Sequence, residues 1–282
     1  MGNNSKGIHV RKASGELEIF DIEKLKQSLH KAGGNEELIA NITSDIKDWI
    51  QDGISTKKLY SQAFKLLNRK NRLNALRYKL KQALYELGPS GYPFEHFMGE
   101  IYRRWGYNVE VGKVIEGSCI SHEMDVIATN QRNQIFLECK YSSHQGKYVS
   151  IHVPLYVKAR VDDIIIRREN TPEYSGLNFS GGVISNTRFS PDSIAYSKCY
   201  NLSLLGWDYP TGNGLKEIME REKIFPITIL HELTKKQISI LLELGLVTCK
   251  QLKENLKSLD ELNLSKNMLK KLREDLENID FY

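Results

Sequence analysis

The chain is poor in the residues that mark several large classes of protein. Its four cysteines lack the paired spacing of a zinc site and the framework of a disulfide-rich secreted domain. It has no apolar run long enough to span a bilayer, and no Gly-rich lysine loop of the kind that binds and hydrolyses nucleoside triphosphates. We therefore expect reduced thiols, no membrane span and no Walker-type ATPase site.

Length and composition bound the number of hydrophobic cores. The 282 residues are 40% hydrophobic, which is enough for two or three packed domains. Residues 1–7 lack the apolar stretch of a secretory signal, so we expect a cytoplasmic protein. The formal net charge of +5 fits a polyanionic partner such as DNA without identifying it.

The most informative segment runs from residue 122 to residue 140. Two predicted strands flank a polar turn, with Asp125 on the first strand and Glu138 and Lys140 on the second. Side chains alternate along a strand, so Glu138 and Lys140 share one face, and an antiparallel return brings Asp125 beside Glu138. Two close carboxylates need a cation, and oxygen ligands suit Mg²⁺ or Mn²⁺. A neighbouring lysine can orient or deprotonate a water, or stabilise charge on a phosphate, so this segment predicts a hydrolytic metal site.

Asp125 followed by Glu138-Cys139-Lys140 resembles the pattern of the PD-(D/E)XK nuclease superfamily, and within it the Mrr-like restriction endonucleases. The segment 91–95, which ends in Phe-Glu, resembles the opening helix of that family, and residues 181–190 resemble its later strand and loop. The resemblance spans residues 88–223. It implies a restriction-endonuclease-like α/β core with a central mixed sheet, a Mg²⁺ or Mn²⁺ cofactor and DNA as the substrate.

The same resemblance implies a role for each site residue. Asp125 and Glu138 would hold the metal with the carbonyl of Cys139, Lys140 would position the attacking water, and Glu95 would complete or orient the site. Where the family often has Gly-x-Asp, this chain has His122-Glu123-Met124-Asp125.

Other polar residues near the motif have no decided role. Glu100 is an alternative to Glu95 as the helical acid. Five later residues can contact phosphate, support the acids or lie on the surface: His144, His152, Tyr156, Arg160 and Asp163.

The first ninety residues carry a separate pattern. Residues 8–20 predict a hairpin with its turn at Ala13-Ser14-Gly15, followed by a helix that Asp21 caps. A second helix is predicted over about 36–51, and a third after Ser55 or Thr56. Residues 1–90 contain 16 Lys or Arg against 10 Asp or Glu, a net charge of +6, whereas residues 91–225 have a net charge of −1. The excess positive charge favours an anionic ligand at this end of the chain.

This order of elements resembles the ATP-cone, a nucleotide-binding regulatory domain. The family's Lys-Arg-Asp-Gly turn is changed here to residues 12–15, which loses one cation. Arg11, or a later basic residue such as Lys79 or Lys81, can replace that cation. The resemblance implies ATP or dATP as a regulatory ligand, and it also leaves open a fold kept only for oligomerisation or a basic face for nucleic acid. The residues that it implies for nucleotide binding are Val10, Arg11, Lys12, Glu18, Phe20, Lys24 and Thr56.

The last segment predicts a small helical module. Thr234 begins a helix, residues 244–246 form a tight Leu-Gly-Leu turn, and Thr248 begins another helix. This arrangement resembles helix-hairpin-helix and sterile-alpha-motif-like modules. Acidic and basic residues balance after residue 225, so docking to DNA and docking to a protein both stay open.

Taken together, these patterns predict an α/β multidomain protein. The three predicted domains are a small, mainly helical ATP-cone at 1–88, a PD-(D/E)XK nuclease at 89–224 and an all-α module at 225–282. The predicted function is a Mg²⁺-dependent DNA endonuclease, regulated by nucleotide through a homo-oligomer, with a role in restriction or anti-phage defence. The alternatives are a DNA-binding regulator with an inactive nuclease fold, and a nuclease acting on RNA or branched DNA.

Overall fold

The computed structural model describes residues 7–12, 15–144 and 146–279. It confirms the predicted fold class, because it contains a central mixed sheet, packed helices and a helical C-terminal region. The chain divides between Leu80 and Lys81 into two units. Within the described residues, no helix combines the length and hydrophobicity that crossing a membrane requires.

The N-terminal unit consists of a three-stranded sheet and helices. The predicted hairpin is present, although Ala13 and Ser14 of its turn lie outside the described residues, and Gly15 has a positive φ of 89°. The strand order is β2-β1-β3, with β1 antiparallel to β2 and parallel to β3. The elements are β1 (His9–Arg11), β2 (Leu17–Ile19), α1 (Ile22–Lys31), α2 (Glu36–Trp49), β3 (Ile54–Ser55), α3 (Thr56–Lys70) and α4 (Arg72–Tyr85), the last of which continues into the second unit.

Side-chain caps begin α1 and α3 of this unit, and of the two residues that the sequence offered for α3 the cap is Ser55. The Asp21 carboxylate accepts a hydrogen bond from the Glu23 amide at 2.9 Å and begins α1, and the Ser55 hydroxyl accepts from the Lys58 amide and begins α3. The helices bury one apolar face each, and this burial stabilises the unit. The buried residues are Leu25, Leu29, Ala32, Ile39, Ile42, Ile46, Ala63, Leu67, Ala75 and Tyr78.

The C-terminal unit is built around a five-stranded mixed sheet of order β10-β8-β6-β5-β4. β4, β5 and β6 form an antiparallel meander, whereas β8 runs parallel to β6 and β10 runs parallel to β8. The elements are α5 (Tyr92–Arg104), β4 (Asn108–Glu116), β5 (Ser121–Thr129), β6 (Asn133–Lys140), β7 (Tyr148–Val149), α6 (His152–Glu169), β8 (Asn178–Ser185), β9 (Arg188–Phe189), α7 (Pro191–Cys199), β10 (Ser203–Leu205) and α8 (Leu215–Arg221).

The parallel connection from β6 to β8 runs through α6, so this helix packs on the sheet and covers its core. Met124, Phe136, Val161 and Val183 are all buried in that core. The helix also carries polar residues on the face that meets the end of β6, which positions them beside the candidate site.

The chain ends in helices, as predicted. Thr234 and Thr248 cap α9 (Lys235–Glu243) and α10 (Cys249–Glu254) through capping boxes, and Gly245 has a positive φ of 76° in the turn between them. The final helix, α11, covers Lys266–Asn278.

Candidate functional site

Asp125 and Glu138 lie on adjacent antiparallel strands. The register pairs Val126 with Leu137, so Asp125 and Glu138 are the next residues along on β5 and β6. The amide of Cys139 donates to Asp125 Oδ2 at 2.6 Å, which fixes the aspartate against β6. The predicted proximity of the two acids is therefore confirmed.

Three donors converge on the carboxylate of Glu138, whose residue is only 5% exposed. Lys140 Nζ donates to Oε1 at 2.6 Å and the Tyr156 hydroxyl donates to the same oxygen at 2.5 Å. Arg160 Nη1 donates to Oε2 at 2.8 Å. The shared face of Glu138 and Lys140 that the strand period predicts is thus confirmed, and two residues of α6 are added to it.

Tyr156 and Arg160 reach Glu138 because they are four residues apart on α6 and so lie on one face of the helix. The guanidinium of Arg160 also lies 5.7 Å from the centroid of the Tyr156 ring, and it contacts the carbonyl oxygen of Glu123. The sequence left open whether this pair contacts phosphate, supports the acids or lies on the surface. The structure shows that both residues hydrogen-bond Glu138, and their spacing of four on a helix is the sequence signal for that shared role.

Glu95 lies on α5 within the electrostatic reach of the strand acids. Burial, followed by the charges of Asp125, Glu123 and Glu138, raises the pKa of Glu95 to about 7. The alternative acid, Glu100, instead pairs with Arg103 Nη1 at 2.6 Å. The charges of the strand acids therefore act on Glu95, whereas Glu100 is paired with Arg103.

The same crowding of acids acts on Asp125. Burial, and then the charge of Glu138, raise the pKa of Asp125 to about 6. Burial alone would lower the pKa of Lys140, but its hydrogen bonds to Glu138 and Tyr156 outweigh that effect and hold the pKa above its usual value. Lys140 is consequently an ammonium donor at neutral pH.

The donor set suits a hard divalent cation. A carboxylate offers about four lone-pair positions, and three donors engage Glu138, with only Arg160 on Oε2. Asp125 accepts the Cys139 amide through Oδ2 and has no further hydrogen bond within the described residues. One oxygen of each acid can therefore still accept a ligand, and the carbonyl of Cys139 follows Glu138 directly in the chain. An all-oxygen set of this kind fits Mg²⁺ or Mn²⁺.

The loop after β8 braces the end of β6. The hydroxyl of Ser185, which is fully buried, donates to the carbonyl of Lys140 at 2.7 Å. The side-chain amide of Asn186 accepts from the Ser142 amide at 2.9 Å and donates to the Ser142 carbonyl at 2.8 Å. These hydrogen bonds hold the backbone at and after Lys140 in place. No motif in the sequence indicated this role.

Two other polar residues near the motif, His122 and Asp163, pair with each other. His122 Nε2 lies 2.7 Å from Asp163 Oδ2, and Asp163 also accepts the amide of Cys119 at 2.8 Å. This cluster ties α6 to the tip of the β4–β5 hairpin. His144 and His152 are exposed.

The N-terminal unit brings several predicted nucleotide-binding residues together. Lys12 Nζ lies 2.8 Å from Glu18 Oε2, and Lys24 Nζ lies 3.6 Å from Glu18 Oε1. Thr56 is the first residue of α3, one residue beyond the pairing of Arg11 with Ser55, and Phe20 packs against the hydrophobic core. Val10 is buried, with only 3% of its surface exposed.

A second group of metal-ligand types lies in the C-terminal helical region. Ligand atoms of His231, Glu232 and Asp275 lie within 4.8 Å of one another. His231 Nε2 lies 3.0 Å from Glu232 Oε1, and we assign this group no metal.

Comparisons with known proteins identify relatives without a known activity. Residues 225–279 match the family model described as AF1548-like, C-terminal. An uncharacterized protein from Archaeoglobus fulgidus is 28% identical over 153 residues, which cover 54% of this chain and 82% of that protein.

The comparison with solved structures found two matches of very different quality. The crystal structure of AF1548, a protein of unknown function, matches with a TM-score of 0.55 and 24% identity over 67% of this chain and 98% of the other, which shows a shared fold alone. The MspJI restriction endonuclease in complex with a 27-mer oligonucleotide matches with a TM-score of 0.29 and 13% identity, covering 47% of this chain and 29% of the other. That score is too low to indicate a shared fold. The ATP-cone and Mrr-like assignments stay predictions.

Proposed function

We propose that this chain is a metal-dependent endonuclease that hydrolyses phosphodiester bonds in DNA. The observation that carries the proposal is the convergence of Asp125, Glu138 and Lys140 at the end of β6, with Glu95 beside them. Metal-dependent hydrolysis of a phosphodiester can use acids that hold a cation next to a positively charged donor, and these residues supply both.

Each residue of the site has its own role in the proposed reaction. Asp125, Glu138 and the carbonyl of Cys139 would hold Mg²⁺ or Mn²⁺, which would polarise the scissile phosphate and activate a water. Lys140, as an ammonium, donates a hydrogen bond to the attacking water or to the phosphate oxygen that gains charge. Tyr156 and Arg160 keep the carboxylate of Glu138 oriented. Glu95 would add a third carboxyl group to the metal site or orient its ligands.

The test is a cleavage assay on the full chain with supercoiled plasmid, phage DNA, RNA and a four-way junction. Each substrate is incubated with Mg²⁺, with Mn²⁺ and with EDTA. We expect DNA cleavage that requires a divalent ion and falls about 100- to 1,000-fold in Lys140→Met, because removing a donor to a developing negative charge costs this much.

The matched control is Arg132→Met, which removes an exposed cation from the β5–β6 turn at the other end of the strand. It should cleave like the wild type. Cleavage of only RNA or junctions would identify the second substrate class, and DNA binding without cleavage would favour the inactive regulator.

We further propose that ATP or dATP binds the N-terminal unit and shifts an oligomeric equilibrium that controls the nuclease. The support is the grouping of Lys12 and Lys24 about Glu18, since triphosphate oxygens can replace the carboxylate as the partner of both cations. A cytoplasmic location and a role in defence against foreign DNA belong to the same proposal, as does docking of the C-terminal helices to DNA.

A further inference from the structure

Two cations lie at the edge of the sheet where β6 ends. β6, β8 and β10 are parallel, so their carboxyl ends share one edge, and ligands of such sheets bind there. Ser185 ends β8 opposite Lys140, and Arg188 follows three residues later. Three residues span at most about 11 Å, so the Cα of Arg188 lies within that distance of the Cα of Ser185.

Lys81 of α4 joins Arg188 at this edge. Its ammonium lies 5.6 Å from the centroid of the Trp207 ring, in the segment that follows β10. The backbone amide of Trp207 donates to the Thr187 carbonyl at 3.2 Å, which holds the tryptophan beside the residue that precedes Arg188. The lysine is thus positioned by an aromatic face.

The charges of this cluster do not balance. Arg188 Nε donates to Asp208 Oδ2 at 3.0 Å, and Tyr148, its register partner on β7, also hydrogen-bonds it. Within the described residues, no carboxylate lies within 4.0 Å of the Lys81 ammonium. One carboxylate therefore serves two cations. Burial, and then the charge of Arg188, lower the pKa of Lys81, which an approaching anion would reverse.

We propose that Lys81 and Arg188 form a phosphate-binding subsite that holds a backbone phosphate of the nucleic-acid strand next to the scissile bond. This assignment rests on the proposed nuclease function. A phosphate has the charge that the cluster lacks and acceptors enough for both cations. Phosphate contacts of this kind position a strand without reading its sequence.

The test measures binding of a fluorescent DNA duplex to the full chain by anisotropy, in EDTA and over a series of salt concentrations. Lys81→Met and Arg188→Met should each weaken binding about tenfold and make the dependence of log K on log salt less steep by about one. Lys81→Arg and Arg188→Lys should keep most of the affinity. Arg132→Met, at the opposite end of the strand, is the control and should bind like the wild type.

Asp208→Asn should change the DNA affinity in the opposite direction. Removing the one carboxylate that pairs with Arg188 leaves the cluster more positive, so this variant should bind DNA more tightly than the wild type. A misfolded protein cannot produce that gain in DNA affinity. Thermal unfolding measurements establish whether the other variants are folded.

Wild-type affinity in Lys81→Met and Arg188→Met, or no DNA binding by the wild type, would overturn the subsite. A parallel titration with ATP distinguishes the source of the phosphate. Loss of ATP binding in the two Met variants with unchanged DNA affinity would also overturn it. Plasmid cleavage in Mg²⁺ is measured separately. A wild type that binds DNA through these cations but does not cleave it would contradict the nuclease proposal and support the phosphate-binding subsite.

Discussion

Glu138 is the residue on which the candidate site depends, because a lysine, an arginine and a tyrosine all donate to its carboxylate. A buried carboxylate is costly unless it is paired and hydrogen-bonded, and these donors meet that requirement. They also restrict its rotation, so any ligand of Glu138 meets a carboxylate of fixed orientation. The sequence predicted the lysine from the strand period, but the two residues of α6 depend on how that helix packs.

Loss of one of these donors should weaken the proposed metal site. In Tyr156→Phe, Glu138 loses its 2.5 Å hydrogen bond while the ring remains. We expect cleavage, or the affinity for Mg²⁺, to fall about 10- to 100-fold, as is usual when a group that orients a metal ligand is removed. A Mg²⁺ titration of the cleavage rate measures this. Tyr200→Phe, which changes an exposed tyrosine of the same unit, is the control, and equal loss in both variants would refute the orienting role.

The pKa of Asp163 predicts how the stability of the protein depends on pH. Its hydrogen bond to His122, with help from the Cys119 amide and against the effect of burial, lowers the pKa of Asp163 to about 2. A carboxyl with a depressed pKa in the folded state stabilises the protein above its ordinary pKa of 3.8, and that contribution is lost as the pH falls towards 2. Urea midpoints of wild type and Asp163→Asn should therefore differ more at pH 6 than at pH 2.5.

The exposed Glu110 provides the comparison for this pH experiment. Glu110→Gln should change the urea midpoint little at either pH. A difference between wild type and Asp163→Asn that stays constant from pH 6 to pH 2.5 would show that Asp163 does not stabilise the fold through its charge.

At the scale of elements, β4 has an interruption opposite the candidate aspartate. The register pairs Val111 with Val126 and Lys113 with Met124, which leaves Gly112 opposite Asp125. Gly112 has a positive φ of 61° in the middle of the strand. A residue with a Cβ is strained in that conformation, so the local shape of the strand beside Asp125 depends on glycine.

Substitution of this glycine should lower the stability of the protein. Gly112→Ala should lower the free energy of unfolding by about 1–2 kcal/mol, the cost of the left-handed conformation for a residue with a side chain. Chemical denaturation measures the loss. Lys113→Ala, at the next exposed position of the same strand, should be close to neutral. Unchanged stability in Gly112→Ala would mean that the strand relaxes to another conformation without cost.

The elements that local chemistry determines were predictable, and those that pair across long distances were not. Asp21, Ser55, Thr234 and Thr248 cap the helices that the sequence assigned to them, because a cap needs only an amide two or three residues away. The two-residue strand β3 was not predicted, since its only signal is its parallel pairing with β1, more than forty residues earlier. The Ser185 brace on Lys140 has the same non-local origin.

At the scale of the whole molecule, the formal charge is uneven along the chain. Residues 1–90 have 16 basic and 10 acidic residues, whereas residues 91–225 are nearly neutral. The anionic ligand proposed for the N-terminal unit and the phosphate proposed for Lys81 and Arg188 are thus tested separately.

Nucleotide binding should depend on Lys12 and Lys24. Lys12→Ala and Lys24→Ala should each weaken ATP binding about tenfold, because each removes a cation placed to contact phosphate. Calorimetry with the full chain measures the affinity. Lys26→Ala is the matched control on the same helix, where the lysine pairs with Glu23 instead. Equal affinity in all the variants would remove the nucleotide site from this unit.

The measurement that bears most directly on the nuclease proposal is Mg²⁺-dependent cleavage of supercoiled plasmid by the wild type and by Asp125→Asn, a substitution that keeps the size of the side chain. We predict nicked or linear DNA with the wild type and intact plasmid with Asp125→Asn, at equal thermal stability of the two proteins. Equal cleavage by both proteins, or no cleavage of DNA by a folded wild type, would contradict the nuclease proposal.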